Sequence, residues 1–204
     1  MEGSANSPIL LKNEDYLDKL YVNFMPFLLF YSKNIFDVAQ EHTENYMKVD
    51  SLSVKSKWLS AMYYTQSKKK LKRKVIIRPT PGLGKGLFAM EEMAANIFLG
   101  TYGGLVKRQL FFSFYDTTYA FMYPPSCRRM SFQYLYIDGK KYGNFSRFIN
   151  HSDQANAEVC PIYIEPLMFL GIKLVKPVAQ DEQITIDYGK KYWSKRGRSK
   201  IKKI

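Results

Sequence analysis

From Val75 onward the sequence consists of short apolar segments separated by glycine, proline and polar turn residues. These segments are rich in Val, Ile, Tyr and Phe, which pack well on a pleated sheet. Many short strands with little helix between them predict a mostly β fold, in which small sheets pack around one another. The predicted strands are Val75–Arg78, Leu87–Met90, Ile97–Tyr102, Tyr119–Tyr123, Tyr134–Ile137, Val159–Ile164 and Met168–Lys176.

The N-terminal third differs, because its apolar residues recur at three- and four-residue spacing, which is typical of helices. This spacing predicts a helix that begins near Asn13 and ends at Pro26, and a second over 35–47 with Asn34 as N-cap. We expect His42 to lie on the surface of the second helix. A third helix is predicted over 54–65, and its apolar face would contain Trp58, Leu59, Met62 and Tyr63. A helical layer therefore precedes the β domain, either packing on it or binding a partner.

The net charge of +13 is concentrated in two short runs. Residues 66–74 contain six Lys or Arg, residues 190–204 contain eight, and neither run contains an acid. The rest of the chain has 17 basic and 18 acidic residues, so it is nearly neutral. Such runs are either solvated linkers and tails or contacts to a polyanion such as DNA. We divide the chain into a helical extension (1–74, with the basic linker 66–74), a main domain (75–189) and a basic flank (190–204).

Cysteine content and hydropathy exclude several classes of protein. Cys127 and Cys160 are too few for a zinc cluster or a disulfide framework, and with two histidines in the chain we predict no metal site. Both cysteines are expected to be small, partly buried apolar residues. No apolar run approaches 18 residues, and no signal-peptide pattern is found, so we predict a soluble chain without a membrane partner.

Two segments hold the candidate chemistry. The first ends in Arg147-Phe-Ile-Asn150-His151-Ser152, and the second ends in Ile186-Asp187-Tyr188-Gly189. Together they resemble the signature of SET-domain protein lysine methyltransferases, and the resemblance extends over residues 75–189. It implies a SET-domain fold with knot-like threading of the C-terminal segment, which would bring Asn150 and Tyr188 into one site. It also implies S-adenosylmethionine as cofactor.

The glycines at 82, 84 and 86 form either a plain hairpin turn or a loop that a ligand approaches closely, since glycine permits positive φ and close contact. The run Gly84-Lys85-Gly86-Leu-Phe-Ala resembles the SET motif that receives the cofactor. The resemblance implies cofactor-binding roles for Gly84, Lys85, Gly86, Tyr102, Arg147, Asn150, His151, Tyr188 and Trp193, with Asn144 in the same motif as Arg147.

Catalysis would depend on tyrosines that line a narrow channel for the substrate lysine. The resemblance implies catalytic roles for Tyr188 and Tyr119. Further channel positions would be Tyr123, Ile186 and Tyr192. An apolar channel disfavours the ammonium form of lysine and thereby lowers its pKa. Asp187 is expected to anchor its segment rather than to act as a base.

The sequence departs from the family pattern after His151. Asp153 occupies the usual position of a cysteine, and Ala155 that of a proline. The missing cysteine agrees with the absence of a zinc cluster after the domain, so Tyr192 and Trp193 are our candidates for completing the channel. In its size and lack of zinc ligands the chain is similar to small bacterial SET effectors of the chlamydial type.

This resemblance predicts an S-adenosylmethionine-dependent protein-lysine N-methyltransferase that acts on histones, histone-like basic proteins or its own lysines. It implies secretion with entry into a host nucleus, or residence in the bacterial cytoplasm. DNA or nucleosome contact through the basic runs and a homodimer both stay open. Two alternatives remain: a SET-like binding module without catalysis, and a DNA-binding protein that acts through its basic runs.

Overall fold

The computed structural model describes residues 28–68, 75–109, 118–123, 134–190 and 192. Strands outnumber helices there, so the predicted mostly β fold is confirmed. A 3₁₀ helix covers Phe145–Phe148. In chain order the other elements are β1 (Leu28–Phe30), α1 (Lys33–Met47), α2 (Asp50–Lys68), β2 (Val75–Thr80), β3 (Gly84–Ala89), β4 (Phe98–Thr101), β5 (Gly104–Gln109), β6 (Ala120–Tyr123), β7 (Tyr134–Asp138), α3 (Gly139–Tyr142), β8 (Asn150–His151), β9 (Ala157–Ile164), β10 (Leu167–Leu174) and β11 (Gln183–Ile186).

The strands form two sheets. The smaller sheet has the order β1-β5-β7-β6, and the larger has the order β2-β3-β11-β9-β10-β4, with β8 paired to β11. All seven predicted strands are confirmed, with ends that shift by at most three residues. The turn at the glycine stretch is shorter than its glycines at 82, 84 and 86 suggest. It is confined to 81–83, and Gly84 already pairs with Thr80 in the hairpin of β2 and β3. The strands β1, β5, β8 and β11 were not predicted.

The helical layer is joined to the larger sheet by side chains that bond to its backbone. Thr43 on α1 accepts the Met168 N–H at 3.1 Å. On α2, Ser60 accepts the Tyr163 N–H at 2.7 Å. Near the end of α2, Gln66 accepts the Phe98 N–H at 2.9 Å and donates to the Asn96 carbonyl at 2.9 Å. These bonds satisfy strand groups that would otherwise lack partners, so α1 and α2 form part of one hydrogen-bonded structure with the sheet.

The predicted helices over 35–47 and 54–65 are confirmed, but their caps and faces need correction. The N-cap of α1 is Ser32, in extended conformation, whose hydroxyl accepts the Ile35 N–H at 3.4 Å. Asn34 instead accepts a hydrogen bond from Arg108 at 2.7 Å. Trp58 is 62% exposed, whereas Ser56 and Ser60 are buried. Small serines let α2 approach β9 closely, and this rotates Trp58 out of the interface.

His42 is the second correction in the helical layer. It is buried with 4% exposure instead of lying on the surface. Burial lowers the pKa of His42, while Glu41 and a backbone bond to Tyr123 act in the opposite direction. His42 is therefore a core residue of α1 whose neutral form is favoured.

Several predictions fall on residues outside the described part of the chain. They are the helix from Asn13 to Pro26, the linker segment 69–74, the basic flank 190–204 apart from residues 190 and 192, and the environments of Cys127 and Trp193. Cys160 is described, and it is buried with 4% exposure. Within the described ranges, no helix combines the length and the apolar character needed to cross a bilayer.

Candidate functional site

The two motif segments meet side by side. Strand β8 pairs in parallel with β11, so that Asn150 faces Thr185 and His151 faces Ile186. The Ser152 N–H donates to the Ile186 carbonyl at 3.2 Å and extends this pairing. Just beyond β11, the Tyr188 hydroxyl donates to the Ile149 carbonyl at 2.7 Å. The structure thus brings Asn150 and Tyr188 into one neighbourhood.

Asn150 connects this pair of segments to the glycine stretch. Its amide nitrogen donates to the Lys85 carbonyl at 3.2 Å. Lys85 lies opposite Pro79 in the β2–β3 hairpin, and proline has no N–H to donate. An Ala side chain at Gly86 would collide with Thr80 and Gln183 and would lie 3.0 Å from Asn150 Nδ2. A side chain at residue 86 would therefore force the Thr80 and Gln183 side chains to move, whereas Gly84, at φ +80°, faces open space.

His151 fixes the backbone around Tyr188. Its Nδ1 accepts the Tyr188 N–H at 3.2 Å, so the ring proton of the neutral form resides on Nε2. Nε2 lies 3.2 Å from the Asp153 carboxylate and can donate to it. Asp153, which replaces the family's cysteine, is thus a ring partner that sequence reasoning missed. The only signal for it was an acid two residues after the histidine.

Two neighbours support the segment that carries Tyr188. The Asp187 carboxylate accepts the Gly189 N–H at 2.8 Å, and Gly189 has φ +78°, so the carboxylate stabilises a turn. Because Asp187 is 70% exposed, it suits the anchoring role expected of it. The ring of Tyr192 packs edge-on against Tyr188 at 4.5 Å between centroids. Tyr188 and Tyr192, both assigned to the channel, therefore lie in contact.

Tyr119 is held by contacts from three parts of the chain. Its carbonyl accepts hydrogen bonds from the Tyr102 hydroxyl at 2.7 Å and from the Gly139 N–H at 2.8 Å. The Arg147 guanidinium lies over its ring, 4.8 Å from the centroid. Tyr102 is 2% exposed, and burial raises its pKa well above the ordinary value. Its buried hydroxyl is bound to the Tyr119 carbonyl, and a cofactor-binding role for Tyr102 stays a prediction.

Three other predicted residues lie around this group in different ways. Asn144 caps the 3₁₀ helix by accepting the Ser146 N–H at 3.1 Å, and it donates to the Thr101 carbonyl at 2.8 Å. Ile186 is buried in β11 with 1% exposure. The Tyr123 side chain points toward α1, where it is buried and its hydroxyl lies 3.4 Å from the Thr43 hydroxyl. Tyr123 therefore packs in the core beneath α1, and its assignment to the substrate channel stays a prediction.

Comparison with known proteins identifies the class to which this arrangement belongs. Residues 84–189 match the SET domain, which is more than half of the chain, and the chain belongs to the SET-domain family. Its mostly β architecture is the fold of that family.

Individual relatives match the same region. Histone-lysine N-methyltransferase SETD1 of Drosophila melanogaster is 35% identical over 105 residues, which is 50% of this chain and 6% of the relative. SETD1A of Homo sapiens is 34% identical over 110 residues, which again cover 50% of this chain and 6% of the relative. SUV39H2 of Gallus gallus is 26% identical over 124 residues, which cover 55% of this chain and 29% of the relative. The chain thus matches only a small part of the length of these relatives.

A solved structure also matches. KRYPTONITE, in complex with mCHG DNA and SAH, is 23% identical to the chain with a TM-score of 0.47. The match covers 58% of this chain and 24% of that one.

SET methyltransferases use S-adenosylmethionine, and the residues present fit this molecule. Its methionyl part carries an ammonium and a carboxylate, which need hydrogen-bond acceptors and donors in one place. Beside the N–H that it donates to Lys85, the Asn150 amide has a second N–H and an oxygen acceptor, and the space at Gly84 is open. Asn150, His151, Tyr188 and the 84–86 backbone are the residues that would hold the cofactor.

Proposed function

We propose that this protein is an S-adenosylmethionine-dependent protein-lysine N-methyltransferase. The observation that carries the proposal is the hydrogen bond from Tyr188 to the Ile149 carbonyl, immediately beside the Asn150 contact with Lys85. These two bonds place a candidate catalytic tyrosine next to the candidate cofactor residues. No single segment could do so, because the residues come from β3, from β8 and from the chain after β11.

The reaction depends mainly on alignment and on a deprotonated amine. When bound, S-adenosylmethionine supplies a methyl group whose bond to sulfur breaks as its bond to the lysine nitrogen forms. Tyr188 and Tyr119 would line the channel through which the lysine reaches that methyl group. Their rings exclude water, and desolvation shifts the amine toward its neutral, nucleophilic form. The Tyr188 hydroxyl and nearby backbone carbonyls would orient the nitrogen lone pair.

The substrate class that we propose is histones or histone-like basic proteins, with the chain's own lysines as further targets. Support comes from the relatives named above, which are histone-lysine N-methyltransferases. A chain of net charge +13 repels a basic substrate in free solution. DNA bound by the substrate would screen that repulsion, and the runs at 66–74 and 190–204 would contact it.

For localisation we propose export from a bacterium and entry into the nucleus of a host cell, which is what the proposed resemblance to chlamydial-type SET effectors would imply. The basic runs, which are compatible with nuclear import, support the last step. Immunostaining of infected cells tests the idea. Signal in host nuclei is the expected result, and signal confined to the bacteria would refute it.

The activity is tested by methyl transfer from labelled S-adenosylmethionine. The acceptors are a histone mixture, a bacterial histone-like protein, and the enzyme alone. The variants are Tyr188→Phe and Asn150→Ala. Matched controls are Tyr31→Phe, at a tyrosine that is 77% exposed, and Asn45→Ala on α1. We expect label transfer by the wild type and by both controls, and its loss in the two site variants.

Other outcomes separate the alternatives. Cofactor binding without transfer to any acceptor would favour a binding module. Absence of cofactor binding, together with tight, salt-sensitive DNA binding that is lost on deleting 190–204, would favour a DNA-binding protein. Mass spectrometry of the enzyme after incubation with cofactor tests self-methylation, which is ruled out if its lysines carry no methyl groups.

A further inference from the structure

Arg147 occupies an unusual position for a cation. It lies in the 3₁₀ helix, and its guanidinium stacks over two rings, 4.8 Å from the Tyr119 centroid and 5.1 Å from that of Phe148. Its Nε is buried and has no hydrogen-bond partner among the described residues. No carboxylate in the described ranges forms a salt bridge with it. Its charge is therefore held at the channel by aromatic faces rather than neutralised by an acid.

The charge of Arg147 reaches the hydroxyl that supports Tyr119. Burial raises the pKa of Tyr102, with Tyr188 adding to the rise, and Arg147 acts in the opposite direction. The Tyr102 hydroxyl lies 2.7 Å from the Tyr119 carbonyl and helps to position Tyr119. The charge of Arg147 therefore acts on a hydroxyl that holds Tyr119 in place.

Other charged groups on the surrounding elements matter for any effect of pH. Asp138, at the end of β7, also acts on Tyr102, but its carboxylate is bound by Lys107 Nζ at 2.7 Å and by the Lys140 N–H at 2.9 Å. Lys85 lies on β3, which packs against the 3₁₀ helix. With Asp138 engaged by Lys107, the guanidinium of Arg147 remains as a positive charge over the Tyr119 ring.

We propose that Arg147 is a positioning residue of the lysine channel, which fixes Tyr119 by stacking and favours the neutral form of the entering amine by a charge that no carboxylate among the described residues pairs. The inference rests on the proposed methyltransferase function. A lysine that enters as ammonium meets a fixed cation, so it releases a proton to solvent more readily before it reacts. This role differs from the direct cofactor contact that family resemblance implies for Arg147.

The two roles predict different results, and variants at Arg147 separate them. Arg147→Met and Arg147→Gln remove the charge, Arg147→Lys keeps it, and Arg108→Met is the matched control on β5, where Arg108 bonds to Asn34. For each folded variant, kcat is measured from pH 6 to 10 on a histone acceptor, and S-adenosylmethionine affinity is measured by calorimetry. Circular dichroism checks folding.

We expect the acid limb of the kcat profile to move to higher pH by about one unit in the neutral variants. In Arg147→Lys the limb should keep its position, although KM rises because the planar stack on Tyr119 is lost. Cofactor affinity should stay within about twofold of wild type in all variants, because a positioning residue makes no direct contact with the cofactor. Loss of a direct contact worth about 1.4 kcal/mol would instead weaken the affinity about tenfold. Arg108→Met should match the wild type in every measurement.

An unchanged acid limb in a folded neutral variant would overturn the inference. If cofactor affinity falls in parallel with activity while the limb stays in place, the direct contact is correct instead. If Arg147→Lys is the only variant that folds, an acid limb of its kcat profile that moves despite the retained charge would also overturn the inference. A wild-type protein that transfers no methyl group would refute the proposed function itself, which is a separate result.

Discussion

The hydroxyl of Tyr188 donates a hydrogen bond to the carbonyl of Ile149 at 2.7 Å, although the two residues are 39 positions apart. Ile149 directly precedes Asn150, whose amide reaches back to the Lys85 carbonyl. A short path of hydrogen bonds and one peptide link therefore joins Tyr188 to the glycine stretch.

Replacing Tyr188 by Phe should lower kcat by about 100-fold while cofactor affinity changes by less than about threefold. The phenyl ring preserves packing against Tyr192, but the hydroxyl that orients the amine is lost, and the Ile149 carbonyl loses its partner. The latter should reduce the free energy of unfolding by about 1 kcal/mol. Steady-state kinetics and calorimetry check these values beside Tyr31→Phe. A Tyr188→Phe enzyme with wild-type kcat would remove this tyrosine from the mechanism.

The substitution Gly86→Ala should destabilise the protein and weaken cofactor binding together. The new methyl group would collide with Thr80 and Gln183 and press on Asn150, so these side chains would have to shift. Overpacking of this kind costs about 1–3 kcal/mol. Urea unfolding and calorimetry measure both effects. Adding Gln183→Ala removes one obstacle and should restore part of the stability. Normal stability in Gly86→Ala alone would show that the contact is easily relaxed.

Two buried threonines should respond oppositely to replacement by valine. The Thr43 hydroxyl donates to the Ala39 carbonyl at 2.9 Å and accepts the Met168 N–H at 3.1 Å. The buried Thr80 hydroxyl has no hydrogen-bond partner among the described residues. Thr43→Val should therefore reduce the free energy of unfolding by about 1–3 kcal/mol, whereas Thr80→Val should leave it unchanged or raise it slightly. Equal losses in urea titrations would contradict this account.

The thiol of Cys160 should resist alkylation in the native protein. Burial raises its pKa to about 12, with Glu158 adding to the rise and Lys173 opposing it. Only the thiolate reacts, and in the unfolded chain the pKa is close to its ordinary value. We expect a Cys127→Ser protein to react with iodoacetamide at pH 8 only in denaturant. Rapid labelling of the native protein would show that Cys160 is accessible.

The same shift has a consequence for stability. Because the folded-state pKa of Cys160 is raised, its contribution is fully present below the unfolded pKa and is lost as pH rises toward about 12. Cys160→Ala should therefore show a shallower loss of stability above pH 9 than the protein that retains the thiol. Identical curves for the two proteins would exclude a contribution from this group.

The buried His42 should lower the free energy of unfolding when the solution is acidified. Its pKa is lowered by burial, so below about pH 6.5 the unfolded chain takes up a proton that the folded protein does not. The contribution is present above this pH and decreases as pH falls. His42→Gln cannot titrate, so between pH 7 and 5 its free energy of unfolding should change less steeply than that of wild type. Parallel slopes for the two proteins would refute the role of His42.

Much of the fold followed from local patterns in the sequence. The strands β2, β9 and β10 are apolar segments between clear turn signals, and helices over 35–47 and 54–65 followed from apolar spacing. Strand β5 was missed because Lys107 and Arg108 interrupt its apolar run. Its place in the sheet depends on pairing with β1 and β7, which are distant in sequence.

Side-chain environments were harder to predict, because they depend on which faces meet. Trp58 was assigned to the core by its spacing, yet the serines at 56 and 60 face β9 because only small residues permit that approach. Tyr123 lies in an aromatic strand, and only the structure shows that its side chain packs beneath α1. Such choices are settled by contacts between segments far apart in the chain.

The sequence by itself determined the family, since Arg147–Ser152 and Asp187–Gly189 are local strings of residues, and with it the cofactor and the strand-rich fold. Only the tertiary structure decided that the Asp153 carboxylate lies against the His151 ring, that Tyr102 is committed to Tyr119, and that Arg147 stacks on Tyr119. The physical reason is that hydrogen bonds and ring contacts act over a few ångströms. The residues that share such a distance are chosen by strand pairing and packing across the whole chain.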